Sequence, residues 1–244
     1  MLKRNILING LGALALMCTS CGGGNTNTET SSGDKKTVET KEPEKVVERN
    51  KENITYKIAT DNTKVLWQGR KVYQEDYSHN GVVPVSQGEL YVKGENLTGG
   101  NFTINMTDIA DHDLKGSPED SAKLVKHLKS DDFFYAEEYP NAKFEITSVK
   151  PLEGNPDATH TIAGNLTLRG TTKNIEFPAK VQMKDDVITA RANFTIDRTR
   201  WNITYGAEST FEELTDKLKD KVIADDINLD IELKAKKKAM ASAR

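Results

Sequence analysis

The chain is poor in the residues that carry covalent and metal chemistry. Its 244 residues hold two cysteines, Cys18 and Cys21, and four histidines. Two thiols near one end cannot form the disulfide framework of a small secreted scaffold, a redox C-x-x-C needs a βαβ context, and a structural zinc site needs two more ligands. His79, His112, His127 and His160 are scattered and never take H-x-x-x-H spacing. Phosphate-cradling loops, a nucleophile elbow and a dinucleotide fingerprint are all missing, so no enzyme class is indicated and no cofactor is expected. Charge of one sign is lacking too: 34 basic against 37 acidic residues leave a net charge of -3, which gives no basic face for nucleic acid. The one dense basic run, at 236–244, reads as a solvated tail.

What is present is organised in blocks. Lys3 and Arg4 precede the apolar stretch "NILINGLGALALMC", which is too short to span a bilayer and is flanked as a signal peptide is. The following Cys18, Thr19, Ser20 and Cys21 resemble a bacterial lipobox. The resemblance implies a signal peptide over 1–20, removal of Cys18 with it, and a diacylglycerol thioether on Cys21. An ordinary signal peptide that leaves Cys21 free is the alternative. Gly22 to Gly24 and the polar, mixed-charge stretch that follows contain almost no large apolar residues, so 21–53 is expected to be a disordered, lipid-anchored linker.

Beyond residue 53 the pattern has period two. Alternating segments at 54–60, 64–72, 89–94, 101–107, 143–149, 160–170, 174–183, 187–196 and 222–235 are separated by turn chemistry such as Gly99-Gly100 and Asp185-Asp186. One apolar face recurs: Phe102, Ile104 and Met106; Phe144 and Ile146; Ile162, Gly164, Leu166 and Leu168; Phe194 and Ile196; Ile227 to Leu233. About eight short antiparallel strands with one apolar face must close or sandwich to hide that face and their edges. The fold class is therefore all-β, an antiparallel barrel or sandwich. A closed barrel of this size is either filled by its own side chains or lined around one small ligand, and the inward rows suit both.

Two short helices are expected among the strands. Ser117, Pro118, Glu119 and Asp120 read as an N-cap, a proline at the first helical position and acids in the first turn, with Leu124, Val125 and Leu128 as a stripe. Ser209 and Glu212 read as a capping box, with Phe211, Leu214 and Leu218 on one side.

Four blocks carry a likeness to a known family: "HLKSDDFFYAEEYPNAKFEITSV" (127–149), "GNLTLRGTTKNIEFPAKV" (164–181), "FTIDRTRWNITYG" (194–206) and the closing "VIADDINLDIELKA". In order and spacing they resemble the YceI-like family over about 54–235, and "VLWQGRKV" is similar to its first strands. The resemblance implies an extended, lipocalin-like barrel whose long apolar cavity holds a polyisoprenoid or another long-chain lipid, in the bacterial cell envelope, periplasm or outer membrane. The candidate cavity residues are then Trp67, Phe102, Ile104, Phe144, Ile146, Leu166, Leu168, Phe194 and Ile196, because rigid aromatics and inward aliphatics suit a flexible apolar chain. His160 and Arg198 are the head-group candidates by chemistry. The expected partners are such a lipid and the membrane through lipidated Cys21, with a homodimer through an exposed edge left open. A structural envelope lipoprotein with a filled barrel is the alternative.

Other signals resolve to ordinary structure. A calcium loop starting at Asp111 would place Lys115 and Ala122 where carboxylates are needed, so no metal site is expected there. The seven N-x-T triplets, among them those of Asn165 and Asn193, read as threonines on outward strand faces.

Overall fold

The computed structural model describes residues 37–74, 76–211 and 215–239. The expected signal peptide over 1–20, Cys21 and the end of the basic tail lie outside them. Period-two patterning becomes strands β1 Thr40–Lys41, β2 Ile54–Ile58, β3 Lys64–Arg70, β4 Ser78–Lys93, β5 Asn96–Asn105, β6 Ala110–Asp111, β7 Asn141–Pro151, β8 His160–Leu168, β9 Thr171–Lys184, β10 Val187–Asp197 and β11 Asp226–Lys237. The strands join in one sheet in the order β1-β9-β10-β11-β2-β4-β5-β7-β8, and β8 pairs back onto β9. The sheet therefore closes, and its apolar face has nowhere to point but inward.

β2 and β3 share one place in the wall. Both pair antiparallel with β11 and β4, and a 3-10 turn over Thr60–Asn62 interrupts them. Counting that broken strand once gives an eight-strand barrel, with the two-residue β1 and β6 as additions. Alternation fails as a guide at one place: the first half of β4 contains Gly81 and Pro84 and reads as a loop, yet it pairs with β3 along 78–84. Gly81 is required there by packing, since a Cβ on it would lie 2.7 Å from the Trp67 ring.

The first expected helix forms as α1, Pro118–Lys129, and buries Leu128. Its first turn is held by backbone bonds to the Ser117 carbonyl and by the Ser121 hydroxyl donating to Asp111 rather than by a side-chain cap. The second expected helix is not observed among the described residues. Short 3-10 turns at Glu208–Thr210 and Lys219–Lys221 stand there, and Glu212 to Leu214 lie outside the description. A helix this short needs an apolar face to bury. Here the core takes Val222 and Ala224 instead, leaving Phe211 and Leu218 only half-buried.

The expectation of a disordered linker over 21–53 also meets a different arrangement in its second half. Residues 37–47 lie across the outside of the barrel as a strap. The Thr37 hydroxyl donates to Asp226 (2.9 Å) and the Val38 N–H to the Thr195 carbonyl (2.8 Å). β1 pairs with Ile175 and Asn174 of β9, and Lys173 Nζ reaches Glu42 (2.8 Å). Further along, the Glu44 backbone exchanges two bonds with the Asn165 side chain (3.0 and 2.7 Å) on β8, and the Val47 N–H donates to Ile146 (3.0 Å) on β7. A segment with little apolar surface is thus ordered by bonds to its backbone, a source of order that composition does not reveal. At the other end of the domain the wall runs slightly past residue 235: Lys236 and Lys237 belong to β11.

Candidate functional site: the barrel interior

Each strand turns its apolar row inward, and four phenylalanines meet there. Phe102 of β5 lies 5.3 Å from Phe144 of β7, Phe144 lies 5.7 Å from Phe177 of β9, and Phe177 stacks on Phe194 of β10 at 4.1 Å with their planes 13° apart. The last pair is stacked and the others are tilted, with all three centroid distances within the contact range of aromatic pairs or just below it. This aromatic run crosses the interior. Gly164 on β8 makes it possible, because a Cβ at that position would stand 2.3 Å from the Phe144 ring.

Among the described residues, an apolar hollow of about 50 Å³ lies at each of two places inside. The first lies beside the aromatic run, against Phe102, Phe144, Ile146 and Phe177, and the small side chains of Ala179, Ala190 and Ala192 leave the room. The second lies beneath the C-terminal end of α1, between Trp67, Leu128, Phe133, Phe134 and Arg198. Both are far below the roughly 300–1,000 Å³ of a typical ligand pocket. At both places the interior is therefore close to filled in this conformation.

All nine cavity candidates are buried within one hydrophobic core: Trp67, Phe102, Ile104, Phe144, Ile146, Leu166, Leu168, Phe194 and Ile196. Their roles divide. Phe102, Phe144 and Ile146 line the first hollow and Trp67 the second, whereas Ile104, Leu166, Leu168 and Ile196 fill space between other side chains. Phe194 closes the run on one side and faces a cleft in the wall on the other. Phe177, Ala179, Ala190 and Ala192 were not among the candidates. The first sits on the inward row of β9, and the alanines mark a gap only once facing strands are known.

The two head-group candidates do not come together. His160 opens β8 opposite Pro151 and Ala179, at the barrel end that carries the β9–β10 turn. Arg198 follows β10 at the other end. His160 is half-buried, its Nδ1 is 2.9 Å from the Thr159 hydroxyl, and desolvation holds its pKa below the ordinary 6.5. Arg198 is 1% exposed and its guanidinium is occupied by backbone carbonyls. Nε donates to Ala224 (3.0 Å), Nη1 to Ile203 (2.9 Å) and Tyr205 (3.0 Å), and Nη2 to Ile223 (3.2 Å). Burial pushes its pKa down, and the Asp225 and Asp197 carboxylates act against that. Its work is to rivet the end of β10 to the loops at 203–205 and 223–224. Trp201, fully buried, does the same with its indole N–H on the Leu166 carbonyl (3.0 Å).

The acidic loop at 108–116 is likewise committed to local structure. Asp111 accepts from the Leu114 N–H, and Asp113 accepts from the Asn80 N–H (2.8 Å) and lies 2.7 Å from His79 Nδ1. Among the described residues no group of three metal-ligating side chains converges. None of the described helices is long and apolar enough to cross a membrane.

Fold and interior together define a closed antiparallel barrel built around an apolar, aromatic-lined axis. The YceI-like domain model matches residues 56–235, and the chain belongs to that family. Among curated relatives, a UPF0312 protein of Pseudomonas putida is 40% identical over 80 residues, which are 32% of this chain and 40% of that one. Protein YceI of Escherichia coli is 40% identical over 81 residues, 33% of this chain and 36% of its own. The matches thus span about two fifths of these relatives' length. Among solved structures, Burkholderia cenocepacia BcnA superposes with a TM-score of 0.56 at 20% identity, covering 73% of this chain and 99% of its own. A structure described as a polyisoprenoid binding domain from Saccharophagus degradans gives 0.51 at 12% identity, covering 76% and 99%. At these identities the structural likeness is one of fold.

Proposed function

We propose that this chain is a non-enzymatic protein of the bacterial cell envelope, anchored through a lipidated Cys21, that holds a polyisoprenoid or similar long-chain amphiphile inside its barrel. The observation that carries the reading is the aromatic run Phe102–Phe144–Phe177–Phe194 beside an apolar hollow, in a family whose fold is shared by a polyisoprenoid binding domain. Such a chain is a series of apolar units, each methylene-sized group gaining about 0.8 kcal/mol on leaving water. Rigid rings offer it large contact area at low entropy cost. A tether at Cys21 would keep the barrel near the membrane that supplies the ligand.

One observation favours a second reading. Hollows of about 50 Å³ are what a filled, purely structural barrel would show, with function on its outer face.

Native mass spectrometry with organic extraction, on the full chain purified from a bacterial host, separates the two. A stoichiometric prenyl species supports the carrier. A clean apo mass with no uptake of added prenyl compounds overturns it. Ile146→Trp sharpens the result: in a carrier it fills the hollow and abolishes uptake while the barrel persists, and in a filled core it chiefly destabilises, by about 1–3 kcal/mol through overpacking.

A further inference from the structure

The wall of the barrel is not sealed by its own strands everywhere. β9 and β10 pair from Lys184–Val187 to Lys180–Arg191 and then part. The residue at which they part is Pro178, which in the same register would face Asn193. Ala179 and Val181 direct their backbone groups toward β8, where the Thr159 N–H donates to the Ala179 carbonyl and the Val181 N–H donates to the Thr159 hydroxyl. Backbone direction alternates along a strand, so position 178 turns toward β10, and proline has no N–H to offer there. Below this fork no β9–β10 ladder continues among the described residues; the strands are joined through the strap, by Val38 on Thr195 and β1 on Ile175 and Asn174, and inside by the Phe177–Phe194 stack. Between fork and strap lies a cleft of about 420 Å³, lined by Thr37, Val38, Glu39, Pro178, Asn193 and Phe194. Behind it stands the Phe177–Phe194 stack, and Phe177 also lines the inner hollow.

We propose that this window is the side entrance of the barrel: an apolar chain passes between β9 and β10, with residues 37–41 as the latch and the Phe177–Phe194 pair as the inner leaf. The inference rests on the amphiphile-binding reading above. Most seams of the wall are continuous ladders. Here, as where β5 and β7 part beyond Asn101 and Glu145 and Val47 bonds to Ile146, opening releases a few strap bonds worth about 1 kcal/mol each. Of these two gaps, the β9–β10 gap is the one with a cleft of about 420 Å³ at it. The barrel end near α1 is packed with Leu128, Phe133 and Phe134, which leaves the side as the less obstructed route from that half. The charged rim of Glu39, Lys41 and Glu176 suits a ligand that enters chain first and keeps its polar end at the mouth. That places a polar end at the seam rather than on the buried Arg198 guanidinium, which backbone carbonyls occupy.

The test locks and loosens the latch. Thr37 and Thr195 are bridge partners on adjacent strands, a spacing of about 4.8 Å that a disulfide can span. In the full chain with Cys18→Ser and Cys21→Ser, the pair Thr37→Cys and Thr195→Cys holds the only thiols. Stopped-flow exchange of dansyl-labelled farnesol is expected to slow about tenfold or more on oxidation and to recover with reductant. Val38→Pro, which removes the N–H on Thr195, is expected to speed exchange severalfold. Equal rates in oxidised and reduced protein, or no change in Val38→Pro, would overturn the side entrance. Failure of the thiol-free parent to bind the probe would instead overturn the amphiphile reading itself.

Discussion

The seam between β9 and β10 is closed in two ways along its length. Near the turn, residues 180–184 and 187–191 form an ordinary antiparallel ladder over a buried row that includes Ile188 and Val181. Farther down, the same two strands are held through a third segment that reaches them by side-chain and single backbone bonds. The first half is held by burial and a ladder together, so it opens only with the barrel. The second has a buried row too, with the Phe177–Phe194 stack, but in place of a ladder it has only the strap's bonds, each of small net worth, so on the proposed reading it opens while the rest of the barrel stays folded. A difference of one backbone N–H, at Pro178, marks the boundary.

Mutations should separate the halves. Ile188, with no exposed surface, belongs to the ladder half. Ile188→Ala should cost about 2–5 kcal/mol in urea unfolding, as a buried truncation does. Trypsin under native conditions should still spare Lys41 and Lys45, because the strap does not rest on that residue. Asn165 belongs to the strap half: it is 5% exposed, exchanges two bonds with Glu44 and accepts a third from Asn174 (3.0 Å). Asn165→Ala should cost less, about 1–3 kcal/mol, by leaving buried partners unpaired. It should nonetheless expose Lys41 and Lys45 to cleavage before the barrel unfolds. A strap that stays protected in Asn165→Ala would mean that both halves open together.

How much of this was legible in the sequence depends on what produces each feature. The barrel was, because alternation in strands such as β7 and β10 is imposed directly by an inside and an outside. The inward rows were too, and all nine cavity candidates are buried in the core. Which of them border open space was not, since the hollow beside Ala179, Ala190 and Ala192 exists only when β9 and β10 face β5 and β7. Arg198 was a head-group candidate by the chemistry of its guanidinium alone, which does not reveal its face, and the carbonyls of residues 203, 205, 223 and 224 use it up. The strap was illegible for the same reason. Its partners Asn165 and Asn174 sit on outward strand positions that alternation marks as solvent-facing, and they are buried because the chain returns over them.

The smallest expected effect tests the origin of the fork itself. Pro178→Ala restores an N–H on the edge that faces Asn193, where extension of the existing register would place the next pair. One added bond is worth about 1 kcal/mol, and the alanine gives back about 0.4–1 kcal/mol through the freer unfolded chain, so net stability should hardly move. Hydrogen exchange is the sensitive readout. If the missing donor is what parts the strands, the new amide at 178 becomes protected, the window narrows, and prenyl exchange slows without any change at the strap. If that amide exchanges as freely as a solvent-facing one, then the intervening strap, or the twist of the barrel at this radius, holds β9 and β10 apart. The proline would then be tolerated at the fork rather than its cause.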